Sequence, residues 1–322
     1  MTRLLLRRLA AALLLLLLVL SITFVLLHLA PGDPTALLQD SRIPQAQRER
    51  LRHVYGLDRP LHEQYFTWLR AVALEGDWGV SLVQQRPVTT LIAEALPNTL
   101  MLASAALALD YGLGFLLGVA AARRPGSLAD HLIRFFSLLL FSLPLFWLGL
   151  MAILLFSYVW PILPPSHLHS VGAEQMGPAA RLLDLLRHLI LPACVLALAS
   201  AGGTARFVRN SLLETMGQDY IRTARAKGLS ERRVVWVHGV RNSLVPILQL
   251  FALSFPALLN GSLVTEVVFS WPGMGNLTFN AILTRDYPVI LAATALSGIM
   301  VVLGNLVADL LHGVIDPRVR ET

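Results

Sequence analysis

The amino-acid sequence predicts an all-α integral membrane protein with six transmembrane helices, a basic cytoplasmic loop between the fourth and fifth, and a long outer segment after the first. Three observations predict it. The 322 residues are 55% hydrophobic and 14% charged, with a mean hydropathy of +0.63, too apolar for a water-soluble core. Apolar runs of about 20 residues recur along the chain, the length that about 30 Å of hydrocarbon requires at about 1.5 Å per residue. The cations crowd into alternate connections, as the positive-inside rule demands.

The first run, residues 9–30, follows Arg3, Arg7 and Arg8 and stops at Pro31-Gly32-Asp33-Pro34. It exceeds the usual signal-peptide core of about 7–15 residues and is followed by no small-residue cleavage pattern, so an uncleaved span is expected. Residues 31–97 form the outer segment, with helical stretches at 45–55 and 61–74, where "LHEQYFTWL" places apolar residues at helical spacing. Further spans fit residues 99–122, 135–160, 189–205, 244–263 and 289–307. These give a cytoplasmic start and first span (1–30), the outer segment (31–97), a five-helix core (98–317) with a loop at 206–243, and a short tail (318–322). The inner connections then hold Arg123, Arg124 and Arg134, eight cations between Arg206 and Arg241, and Arg318 and Arg320. The short outer loops hold Arg181, Arg187 and Arg285. Both termini are therefore expected in the cytoplasm, with Trp160 and Trp271 at the outer interface.

Several functions are excluded at this stage. The formal charge of +6 follows from topology, so nucleic acid is not an expected partner. The lone Cys194 forms no internal disulfide or paired thiolate site. No Ser/His/Asp set, paired carboxylates or ligand cluster converges at one depth, so no catalytic residues and no metal site are expected. The chain has no Gly-x-x-x-x-Gly-Lys-[Ser/Thr] stretch, and its single lysine is Lys227, so any nucleotide is bound elsewhere.

The loop at 206–243 is basic because of topology, yet it also looks ordered. Asp219 is placed to cap a helix over 220–227, with Arg225 and Lys227 at its negative end and Gly228 as the left-handed residue beyond it. Ser230 is placed to cap a second helix leading to the fifth span, whose entry Pro246 marks. Ile221, Ala224 and Gly228 project within about 60° of one another and form a small-residue ridge suited to a groove on another protein. The alternative is a basic loop lying on anionic lipid, which needs cations but neither ridge nor corner.

At these residues the chain resembles a known family. "GQDYIRTARAKGLSERRVVWVHGVRNSLVP" resembles the cytoplasmic coupling motif of bacterial ABC-importer permeases, in its dipeptide, oligopeptide and nickel branch. "LAPGDP", "YGLDRPLHEQYFTWL", "GDWGVSL", "SLPLFWLGL", "HLILPA", "TEVVFSWPGMGNL", "RDYPVI" and "DPRVR" extend the likeness over nearly the whole chain. Two departures stand out: Arg222-Thr223-Ala224 where the general pattern begins Glu-Ala-Ala, and His238 where an aliphatic residue is usual. The resemblance implies a transport subunit, not an enzyme, in the bacterial inner membrane. Its implied partners are a second homologous permease subunit, two ATP-binding subunits that carry ATP and Mg, an extracytoplasmic solute-binding protein, and membrane lipid. The implied contacts to the ATPase are Tyr220, Arg222, Ala224, Arg225, Ala226, Lys227, Gly228, Leu229, His238 and Asn242. Dipeptides or short oligopeptides are the expected substrates, with nickel, haem or glutathione as alternatives. A self-contained secondary transporter would want several buried ionisable groups and a repeat, and neither is evident.

Asp110 falls near the middle of the second span, where it either lines a cavity or is a hydrogen-bonded structural acid. Asn260, Ser262, Thr265 and Glu266 at the outer end of the fifth span fit a water-filled vestibule and gate, although such hydroxyls also satisfy helix carbonyls. His167 and His169 form a weak His-x-His pair that is more simply read as solvated.

Overall fold

The computed structural model describes residues 2–29 and 58–315, with the side chains of 2–9, 252–261 and 307–315 excepted. Ten helices carry the argument. They are α1 (Thr2–Leu29), α2 (Leu61–Arg70), α3 (Val88–Arg123), α4 (Leu128–Ser142), α5 (Leu145–Ile153), α6 (Pro178–Met216), α7 (Asp219–Ala226), α8 (Arg241–Val268), α9 (Met274–Thr284) and α10 (Tyr287–Ile315). π-helical segments follow α2 (Ala71–Glu75) and α5 (Leu154–Val159) and precede α8 (Val234–Val240). Among the described residues, four helices are long and apolar enough to cross a membrane, and a fifth arises if α4 and α5 form one bent span. The expected fifth span lies within α8, ten of whose side chains, 252–261, are outside the described residues. The helix expected at 45–55 and the tail at 318–322 are outside them too.

Two expectations change. Residues 135–160 are not one continuous helix: α4 and the α5 segment meet at 100°. Leu143 is extended (φ −82°, ψ 138°) ahead of Pro144, because the proline ring disfavours helical geometry in the residue before it. The fourth expected span, 189–205, lies within a longer helix, since α6 runs 39 residues and includes Pro192. Arg206 and Arg209 therefore belong to a helix and not to the loop.

The chain divides into two compact units. The first combines residues up to 98 with 273–302. Its core joins Val88 and Leu91 of α3, Ala281 of α9 and Tyr287, Val289, Ile290 and Ala292 of α10. Phe24 of α1 is buried and its ring stacks 5.9 Å from that of Trp68 on α2. Buried Asp286 accepts a bond from the Leu82 amide (3.0 Å) and another from the Ser81 hydroxyl, fastening the turn before α3 to the start of α10.

The second unit, 99–272 with the chain from 303, is organised around α6. Small residues allow close crossings. A Cβ on Gly202 would lie 2.6 Å from the Ser137 carbonyl of α4, and one on Gly118 of α3 would lie 2.6 Å from the Ala205 carbonyl. Gly114, four residues before Gly118, meets Thr204 at the same 2.6 Å. Where side chains are absent, backbones approach and hold together by packing, as small-residue faces do in lipid.

Candidate functional site

The corner around α7 is built by local chemistry. After α6 ends at Met216, Gln218 is extended (φ −73°, ψ 152°) and turns the chain into α7. Gln218, not Asp219, occupies the N-cap, and Asp219 lies in the first turn, where its charge still suits the positive end of the helix. At the other end the Gly228 amide donates to the Arg225 carbonyl (2.9 Å) and the Leu229 amide to the Ala224 carbonyl (3.4 Å). These two bonds define a Schellman closure. It needs a left-handed residue, and Gly228 has φ +76°. Ser230 is extended before the next turn, as expected of a cap, but its side chain makes no capping bond.

Apolar packing fixes the orientation of α7. Ile221 (0% exposed) and Ala224 are buried against Val234, with Met216 and Leu229 beside them. Two of the three residues of the expected ridge, Ile221 and Ala224, are therefore not a free surface, while Gly228 is exposed. The stripe was real, but residues of the same chain cover it, since Met216 and Val234 bring apolar area to the corner that burial rewards. The exposed face consists instead of Tyr220 (43% exposed), Arg222, Thr223, Arg225, Ala226, Lys227 and Gly228. Arg225 Nε donates to Glu231 Oε1 at 2.7 Å across the corner, an exposed pair worth at most about 1 kcal/mol. His238 is half-buried in the π-helical segment, and its carbonyl accepts from Asn242 Nδ2 (2.8 Å). Gly239 lets that segment close on α6, since a Cβ there would meet Met216 Sδ at 2.8 Å.

The polar residues of the spans have other surroundings. Asp110 is 3% exposed and accepts a bond from Thr204 Oγ1 (2.8 Å). It lies four and eight residues before Gly114 and Gly118, on the face of α3 that crosses α6 closely. The geometry favours the structural reading of Asp110. Glu266 is 0% exposed, and its Oε1 accepts from Thr99 Oγ1 (2.8 Å) on α3 and from Ser262 Oγ (2.9 Å). Ser262 and Thr265 are buried as well. This chain's own helices enclose these three residues in this structure, where they do not face water; the Asn260 side chain is outside the described residues. His169 Nδ1 and the Ser170 hydroxyl both bond Asp184, at 3.0 and 2.6 Å, and the His167 amide donates to the Phe269 carbonyl (2.9 Å). These histidines pin a loop. No group of three or more metal-ligating side chains occurs among the described residues.

One constellation was not anticipated from the sequence. Buried Asp130 on α4 receives both prongs of Arg209 from α6, at 2.7 and 2.8 Å. The pattern Ser127-x-x-Asp130 announces a helix start, and Ser127 Oγ does accept the Asp130 amide at 3.3 Å. Nothing in the linear order pairs that carboxylate with an arginine 79 residues away.

The described helices, four of them long and apolar enough to cross a membrane, are those of an integral membrane protein. The chain belongs to the binding-protein-dependent transport system inner membrane components, whose family description covers residues 114–321, while the N-terminal description of such membrane components covers 1–103. It is 42% identical to the oligopeptide transport system permease protein AppB of Bacillus subtilis, over 99% of both chains. It is 39% identical to the di/tripeptide transport system permease protein DppB of Pseudomonas aeruginosa and 35% to the dipeptide transport system permease protein DppB of Escherichia coli, again over 99% of each chain. A crystal structure of an amino acid ABC transporter with histidines matches with a TM-score of 0.50 at 15% identity, over 70% of this chain and 94% of that one, a likeness of fold.

Proposed function

We propose that this chain is one membrane subunit of an ABC importer for dipeptides or short oligopeptides. The full-length likeness to permease proteins named for oligopeptide, di/tripeptide and dipeptide transport carries the substrate class. It disfavours nickel. A second permease subunit completes the pathway, two ATP-binding subunits carry ATP and Mg, and a solute-binding protein delivers the peptide. Six spans with both termini in the cytoplasm put the α7 corner on the ATPase side, as the cation distribution supports.

The corner is then the joint to the ATPase. Its exposed face, Tyr220, Arg222, Arg225, Ala226 and Lys227, makes the contact, while Ile221 and Ala224 fix the helix to the rest of the chain. Leu229, His238 and Asn242 act behind that face. Asp110 and Glu266 hold helices together near the pathway, and ATP shifts the equilibrium between inward-open and outward-open forms only through its differential affinity for them. The reading is tested in proteoliposomes. The complete complex should accumulate di- to pentapeptides with ATP and binding protein and should not accumulate nickel, whereas this chain alone should neither hydrolyse ATP nor accumulate peptide. Uptake by the chain alone on a proton or sodium gradient would overturn it.

A further inference from the structure

Asp130 and Arg209 hold two helices in a fixed register. Asp130 is 0% exposed in the first turn of α4, and its oxygens accept Arg209 Nε (2.7 Å) and Nη2 (2.8 Å) as a two-pronged fork. The Gly126 amide adds a third bond at 2.9 Å, and Arg134 Nε lies 3.3 Å away. A planar fork fixes angle as well as distance. Buried ion pairs are weak evidence for stability, and setting register is their best-attested use.

The clasp has a companion. Seven residues farther along α4, Ser137 touches Gly202, which lies seven residues before Arg209 on α6. The two helices are thus antiparallel and joined at two points about 10 Å apart along their axes. Two fixed points prevent α4 from rolling or sliding on α6. At the far end of α6, Met216 packs against the Ile221–Ala224–Val234 cluster of the corner, and Gly239 closes on Met216 and Leu212. At the far end of α4 the chain bends by 100° into α5.

We propose that the Asp130–Arg209 clasp is a positioning pair that makes the bent α4–α5 segment move as one body with α6 and the α7 corner, so that ATP hydrolysis is converted into movement of the pathway. This rests on the proposed function. Arg209→Lys keeps the charge and gives up the fork, and Asp130→Asn keeps the shape and gives up the charge.

The test uses the complete importer in proteoliposomes and spin labels at Ala226 on α7 and Leu138 on α4, in a Cys194→Ser background. In the parent, the 226–138 distance should be the same in nucleotide-free and ATP-bound states while other distances change. In Arg209→Lys the complex should assemble and hydrolyse ATP near the parent's rate, yet peptide uptake per ATP should fall by at least about fivefold and the 226–138 distribution should broaden. A parent distance that changes between states overturns the proposal whatever the variants do. Parent-like uptake per ATP in both variants overturns it as well. Failure of the complete complex to hydrolyse ATP or transport peptide at all would count against the proposed function instead.

Discussion

The α7 corner and the polar cluster around Glu266 invite comparison because both place polar side chains where an apolar protein has little reason to have them. At Glu266 the chain satisfies its own groups: Thr99 and Ser262 donate to the carboxylate, and all three are buried. At the corner only the apolar side chains turn inward, and Tyr220, Arg222, Ala226 and Lys227 stay on an ordered, exposed face. A polar group that its own chain encloses and bonds is part of the scaffold. An ordered exposed face with its cations outward is the one that the proposed function assigns to the ATP-binding subunit.

The comparison is broken most severely by attacking the scaffold. Gly118→Val would drive methyl groups into the Ala205 carbonyl and Val208, an overpacking of about 1–3 kcal/mol or more. Membrane-inserted subunit should drop sharply on immunoblots, and normal accumulation would show that the α3–α6 crossing yields. Glu266→Ala should follow, since it removes the carboxylate that accepts from two buried hydroxyls, at about 1–3 kcal/mol, and lowers the melting temperature of the detergent-solubilised complex. Glu266→Gln, which still accepts both bonds, should restore most of that loss.

Gly228→Val should be milder in stability and sharper in function. A Cβ at Gly228 meets nothing within 4 Å, so its whole cost is that of a left-handed conformation, about 1–2 kcal/mol. Inserted subunit should be normal in amount, while uptake and binding-protein-stimulated ATP hydrolysis fall together. The smallest effects belong to Asp110→Asn, which keeps an acceptor for Thr204, and to Arg232→Gln on an exposed turn. Each should change uptake by no more than about twofold, the usual scale for substitutions that leave packing intact. A large loss in Asp110→Asn would return Asp110 to the substrate pathway.

Much of this was legible in the sequence because it depends on local rules. The apolar runs gave the helices, and Gly228 gave the left-handed corner. What was not legible depends on which surface covers which. The Ile221–Ala224 stripe was visible, but its covering by Val234 and Met216 was not. Asp110 was conspicuous, yet its partner Thr204 lies 94 positions away. Pro144 was in plain view within an apolar run of spanning length, and hydropathy summed across it hid a break that the proline imposes on Leu143.

The central claim is that the exposed face of α7 contacts the ATP-binding subunit. Photo-crosslinking residues placed singly at positions 226, 222 and 221 of the assembled importer test it most directly. Positions 226 and 222 should yield an adduct with the ATP-binding subunit, and position 221, buried against Val234, should yield none. Adducts from 226 and 222 to lipid alone would contradict the account and leave the corner a charged anchor on the membrane surface.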